Sequence, residues 1–145
     1  MVLNSFCYSK NMGKKGVHQK TARRRVGNVG EDLACRYLTE RGFTIVERNH
    51  NQRWGEIDVI AQKDNRIHFV EVKTIRKTLR QIKEGEGFDA RENLSSAKIS
   101  KLIRTCEMYV QELHMQQEWQ LDGLIVSVDL LSKVAHIQEL PNLSL

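Results

Sequence analysis

One proline in 145 residues leaves no room for a proline-rich linker or stalk, and no internal repeat divides the chain. No apolar run approaches the roughly 20 residues needed to span a bilayer, and no secretory leader pattern is present. The three cysteines, Cys7, Cys35 and Cys106, lack metal-type spacing and cannot all pair, which excludes a disulfide scaffold and a zinc ribbon. Cys35 and Cys106 fall within amphipathic stretches, as small buried apolar residues do. A cytoplasmic compartment is the expectation. The five histidines show no ligand spacing, and neither a glycine-rich phosphate loop nor a Ser/His/Asp arrangement occurs.

Acidic residues are missing from one part of the chain. Residues 1–30 carry seven basic residues, Lys10, Lys14, Lys15, Lys20, Arg23, Arg24 and Arg25, and no acid. The other 115 residues hold sixteen basic against eighteen acidic side chains, so the net charge of +5 belongs to the N-terminal end. Low hydrophobicity without periodicity predicts a disordered basic tail over residues 1–25. A single domain then spans residues 26–145, long enough for a core without staples. Within it, Lys73 to Arg104 contains nine Lys or Arg and four acids, a stripe suited to phosphate contacts. A solvated helix face is the plainer explanation of such a run.

Apolar residues at Val29, Leu33, Ala34, Tyr37 and Leu38 predict a helix from Gly27 to Arg41, stopped by Gly42. A strand from Phe43 to Arg48 follows, then two more joined by the polar segment Gln62–Arg66. A second helix spans residues 94–113, with Ile99, Leu102, Ile103, Cys106, Val110 and Leu113 as its buried stripe. Two strands close the chain: Trp119–Asp129, apolar on both faces, and Lys133–Leu140, read as an edge. The fold class is α/β: helix, three-stranded antiparallel meander, helical crossover, two further strands. The crossover requires a parallel pairing, so the central sheet is mixed.

The central hairpin carries the chemistry. If Asp64-Asn65 is a two-residue turn, Lys63 faces Arg66, Ile60 faces Phe69, and Asp58 lies opposite Glu71. Strand alternation puts Glu56, Asp58 and Ile60 on one face, and Ile57, Val59 and Ala61 on the other. Facing carboxylates at about 4.5–5.5 Å destabilise a sheet unless a cation compensates them. Lys73 is one candidate and a divalent metal, with Mg²⁺ suited to hard oxygen donors, is another. Such a site could polarise a phosphoryl oxygen, with Lys73 neutralising charge or assisting water.

An Asp followed 13 positions later by Glu-x-Lys resembles the PD-(D/E)xK nuclease superfamily, the restriction-endonuclease-like fold. The likeness extends through Gly27-x-x-Gly30-Glu31-x-x-Ala34-x-x-Tyr37-Leu38-x-x-x-Gly42-Phe43, Glu47-Arg48-Asn49, Gly55-Glu56-Ile57-Asp58-Val59-Ile60-Ala61 and Phe69-Val70-Glu71-Val72-Lys73-Thr74, then Lys98 and Tyr109. This ordered set resembles the YraN family of uncharacterised bacterial proteins, similar in fold to Holliday-junction resolvases. The resemblance implies a metal, Mg²⁺ or Mn²⁺, held by Asp58, Glu71 and the Val72 carbonyl, with Glu31 as an additional acidic ligand. It implies that Lys73 positions or activates water. The chain departs from the family in having Ile75 where an arginine is frequent, leaving Arg76 or Lys77 as substitute phosphate contacts. Lys98 and Lys101 are further candidates for the nucleic-acid backbone. On its own, Glu31 is explained as a helix-dipole partner, and Lys98 as a snorkelling surface lysine.

These readings lead to a metal-dependent nuclease acting on nucleic acid, foremost DNA and including branched DNA, with no membrane association. Resolving a junction requires a two-fold homodimer, for which the sequence shows no clear interface. An unidentified protein partner is the other expected associate. The competing reading is a nucleic-acid-binding protein of nuclease ancestry that does not cut.

Overall fold

The computed structural model describes residues 2–4, 19–85 and 94–144, with the backbone alone for 2–4 and 19–21. Among these, the elements in chain order are β1 (Val2–Asn4), α1 (Gln19–Glu40), β2 (Thr44–Gln52), β3 (Gly55–Lys63), β4 (Arg66–Arg76) and α2 (Leu79–Glu84). Helix α3 (Ser96–Glu112) and strands β5 (Trp119–Asp129) and β6 (Val134–Leu140) complete the set. The strands form one mixed sheet in the order β1-β6-β5-β4-β3-β2. β2, β3 and β4 make the antiparallel meander, and β4 pairs parallel with β5 across the helical crossover. The α/β class and the mixed sheet expected from the sequence are therefore present.

One apolar layer covers each face. On the first, all five residues of the α1 stripe are buried and pack with Val59, Val70, Leu124, Val126 and Val128. On the second, Leu102, Cys106 and Tyr109 of α3 pack on Ile57, Ile60, Phe69 and Leu121. β5 supplies both layers, which is why its sequence is almost continuously apolar. Leu113, expected in the α3 stripe, is exposed because the helix ends at Glu112 and Leu113 is its C-cap.

One boundary and two added elements depart most from the sequence reading. α1 begins at Gln19, so residues 19–25 are helical and not part of a tail. Val2–Asn4 pairs with β6, which removes β6 from the sheet edge; residues 5–18 lie outside the described residues. The charged segment after β4 contains α2. Thr78 caps it, with Gln81 completing a reciprocal capping box, and Gly85 ends it in the left-handed region.

Candidate active site at the β3–β4 fork

The hairpin turn forms as its residues require. Asp64 and Asn65 have φ of 50° and 61°, the left-handed pair that a two-residue hairpin turn needs. The ladder then pairs Lys63 with Arg66, Ile60 with Phe69 and Val59 with Val70, and there it stops. β3 continues toward Gly55 along β2, whereas β4 continues toward Arg76 along β5. The two strands fork at Asp58.

The fork leaves the Val72 N–H without a ladder partner, and the Asp58 carboxylate accepts it at 2.8 Å. Asp58 thus bridges the strands by a side chain where backbone pairing has ended. The strict alternation expected along β3 fails at this point. Ile57 lies in the same apolar layer as Ile60, three residues on, while Val59 faces α1. Asn49, whose place in the register is opposite Asp58, has φ of 50°, so the β2–β3 pairing passes over it. Asn tolerates that conformation better than most residues.

Burial raises the pKa of Asp58 to about 7, and the charge of Glu71 pushes it the same way. The Val72 N–H opposes the shift, and Glu31 and Glu56 add to it. Four carboxylates therefore share one field. Glu56, adjacent to the fork and exposed, was not singled out for the site by sequence, although it stands two residues from Asp58.

Glu71 is buried, and its carboxylate takes an ion pair from Lys98 on α3. Sequence reading gave the compensating charge to Lys73 and the open surface to Lys98; the crossover helix reverses that assignment. Lys98 stands in the first turn of α3, three residues from the N-cap Ser95, and from there its side chain reaches Glu71 on β4. Lys73 has no hydrogen-bond or ion-pair partner among the described residues. It lines a groove of about 500 Å³ with Glu31, Val72, Thr74, Arg76 and the N-terminal part of α1.

Glu31 reaches this groove because α1 lies directly on β4. A Cβ on Gly30 would stand 1.7 Å from the Thr74 hydroxyl oxygen, so only glycine permits that approach. Arg48 anchors the same turn, 2.7 Å from Asp32 and 4.0 Å from Glu31. Arg76 is exposed on the groove, and Lys101 is exposed on α3. Lys77 is not gathered with them. Its backbone N–H donates to Val128, and its charge is felt by His136 on β6, whose pKa burial already lowers.

Among the described residues, no three Asp, Glu, His or Cys side chains converge as a ready-made metal cage. The donor chemistry nevertheless fits a divalent cation. All donors are hard oxygens, and Asp58 has a raised pKa because it is half-buried among incompletely compensated negative neighbours. Among the described residues, the cation paired with Glu71 is the Lys98 ammonium. No helix among the described residues is long and apolar enough to cross a membrane.

A second polar pair lies on the α1 face, toward the hairpin turn. His68 and Asp122 meet at 2.7 Å, and Asp122 also accepts from Gln120 and the Asn142 N–H. It ties β4, β5 and the C-terminal segment together.

Comparison with known proteins gives the same grouping as the motif. A Helicobacter hepaticus UPF0102 protein is 42% identical over 103 residues, 71% of this chain and 84% of that protein. A UPF0102 protein of Campylobacter lari is 38% identical over 103 residues, covering 71% and 84%. One from Campylobacter jejuni is 33% identical over 105 residues, covering 72% and 86%. Residues 30–131, from the glycine that seats α1 on β4 to the end of β5, match the model of uncharacterised protein family UPF0102, the YraN family, and the chain belongs to it.

Proposed function

We propose that the chain is a metal-dependent nuclease that hydrolyses phosphodiester bonds of DNA. The observation that carries this reading is the half-buried Asp58 beside buried Glu71 at the end of a broken ladder. A fold gains nothing by placing two carboxylates there, since like charges at such a spot cost stability. Asp58 and Glu71, with the Val72 carbonyl, would hold Mg²⁺ or Mn²⁺, and Glu31 would support it from α1. A divalent ion so held supplies Lewis-acid polarisation of a phosphoryl oxygen and a more acidic water. Lys73, which has no partner among the described residues, would hold a phosphate oxygen and offset charge that develops in the transition state. Arg76 and Lys101 offer phosphate contacts that weaken as salt rises.

A second reading, a binding protein of nuclease ancestry, draws support from the Lys98–Glu71 pair, which compensates charge without a metal. Cleavage of labelled linear, flapped and four-way DNA in Mg²⁺ and Mn²⁺ at low salt separates the two. The nuclease reading expects cutting by wild type and a loss of about a hundredfold or more in Asp58→Ala and Lys73→Ala. Salt-dependent binding without cutting in either metal favours the binding protein.

A further inference from the structure

We infer that Trp54, at the tip of the β2–β3 hairpin, is a stacking platform for an unpaired base of DNA next to the carboxylate site. The inference rests on the nucleic-acid reading above and names the form of substrate it takes.

Trp54 is partly exposed and carries two guanidinium groups. The Arg53 guanidinium lies 4.1 Å from the ring centroid and that of Arg104, on α3, lies 5.9 Å away. Neither arginine has a carboxylate partner among the described residues, and neither does Lys101. Five other arginines do pair with acids: Arg36 with Glu40, Arg41 with Glu139, Arg48 with Asp32, Arg66 with Glu118 and Arg80 with Glu84. The cations at the hairpin tip thus have no acid among the described residues, and the ring they lie over is a surface on which a base can stack in place of a guanidinium. That combination of basic groove and aromatic surface is how single-stranded nucleic acid is held without sequence preference.

The tip is not a loose loop. Gly55 sits against α3, where a Cβ would meet the Thr105 hydroxyl at 2.7 Å; that hydroxyl lies 2.9 Å from the Lys101 carbonyl and 3.4 Å from that of Trp54, so it can donate to either. The backbone that carries the ring is therefore held at a set place relative to the site. Trp54 precedes Asp58 by four residues of extended chain, about 13 Å. On α3, Lys98, Lys101 and Arg104 recur at every third residue, so the basic row runs about 9 Å from the carboxylate pair toward Trp54. A backbone spanning two nucleotides covers such a distance. A blunt duplex keeps its bases stacked inside and offers Trp54 nothing, whereas a flap, overhang or branch point offers an unpaired base.

The test is anisotropy binding in EDTA, where no cutting occurs, using the full chain. Labelled single-stranded DNA, blunt duplex and the same duplex with an overhang are compared for wild type, Trp54→Ala, Trp54→Phe and Asp58→Ala. Trp54→Ala should weaken single-strand and overhang binding by about tenfold or more and leave the blunt duplex within about twofold. Trp54→Phe should restore most of the loss. In a Trp119→Phe background, single-stranded DNA should quench the remaining tryptophan fluorescence. Equal weakening on all three DNAs would show a merely structural tryptophan, and unchanged binding would show no contact; either overturns the inference. Asp58→Ala should retain the preference, so failure of cutting and failure of stacking are read separately.

Discussion

The ammonium of Lys98, in the first turn of α3, pairs with the buried carboxylate of Glu71 in the middle of β4. The contact joins the crossover helix to the strand that carries the candidate site. It occupies Glu71 with a positive charge that the chain can withdraw, since the lysine is long and its side chain is 42% exposed. Whatever cation serves the two carboxylates must share them with this one.

Lys98→Met should therefore lower stability at neutral pH by about 1–2 kcal/mol. The full cost of breaking a buried pair is discounted here because much of the lysine is in water. Millimolar Mn²⁺ should raise the melting temperature of this variant by more than it raises that of wild type. Differential scanning fluorimetry with and without metal measures both. If Mn²⁺ stabilises neither protein, Asp58 and Glu71 are not a cation site.

Asp58 predicts an inverted pH dependence. Its folded pKa is about 7 against an unfolded value near 4, so between those limits the folded chain keeps a proton that the unfolded chain has lost. Its contribution makes stability fall as pH rises through that window, and level off above it. Asp58→Asn removes the ionisation, and its amide oxygen can still accept from Val72. The variant should be more stable than wild type at pH 8 by about 1–3 kcal/mol, with the gap closing toward pH 4. A gap that persists unchanged to pH 4 would assign the effect to packing instead of charge.

Two glycines three residues apart in α1 should respond with opposite sign to the same substitution. Gly30→Ala forces a Cβ into Thr74, 2.7 Å from its Cβ and closer still to its hydroxyl, and should cost about 3 kcal/mol or more. Gly27 has no atom within 4 Å of a built Cβ, so Gly27→Ala should gain about 0.5–1 kcal/mol through helix propensity. Chemical denaturation gives both. Should Gly30→Ala be tolerated, α1 does not press on β4, and Glu31 loses its placement beside the groove.

The sequence showed the hairpin register because Asp64-Asn65 permits one turn and Ile60 and Phe69 must face one core. It showed the α1 stripe because five apolar residues recur on one face. What it hid depends on residues distant in the chain. Lys98 looked like a surface lysine because helical periodicity marks a face as polar without naming the carboxylate beneath it. The break in alternation at Asp58 coincides with a left-handed Asn49 on another strand. Trp54 reads as an ordinary turn residue until α3 brings Arg104 beside it. The start of α1 at Gln19 was obscured by a basic run that alone suggests disorder. Helix α2, by contrast, has its signals in the chain, Thr78-x-x-Gln81 and Gly85, masked by the charged segment around them.

Lys73 is the residue on which the nuclease reading makes its narrowest demand. It follows Glu71 by two positions, yet the carboxylate's partner is Lys98, so Lys73 contributes little to the resting charge balance. Lys73→Met should leave the melting temperature within about 2 °C of wild type, the shift expected for a surface change of under 0.5 kcal/mol. Mn²⁺-induced stabilisation and DNA affinity in EDTA should likewise stay within a few fold. Cleavage should fall by about 10²–10³-fold, the usual cost of removing a group that stabilises transition-state charge. Arg76→Ala provides the contrast. Removing a phosphate-binding guanidinium from the exposed end of β4 should weaken DNA binding and reduce the salt slope by about one, with turnover at saturating DNA preserved. If Lys73→Met behaved as Arg76→Ala does, Lys73 would be a binding residue, and the site would hold DNA without the ammonium that the cleavage chemistry requires.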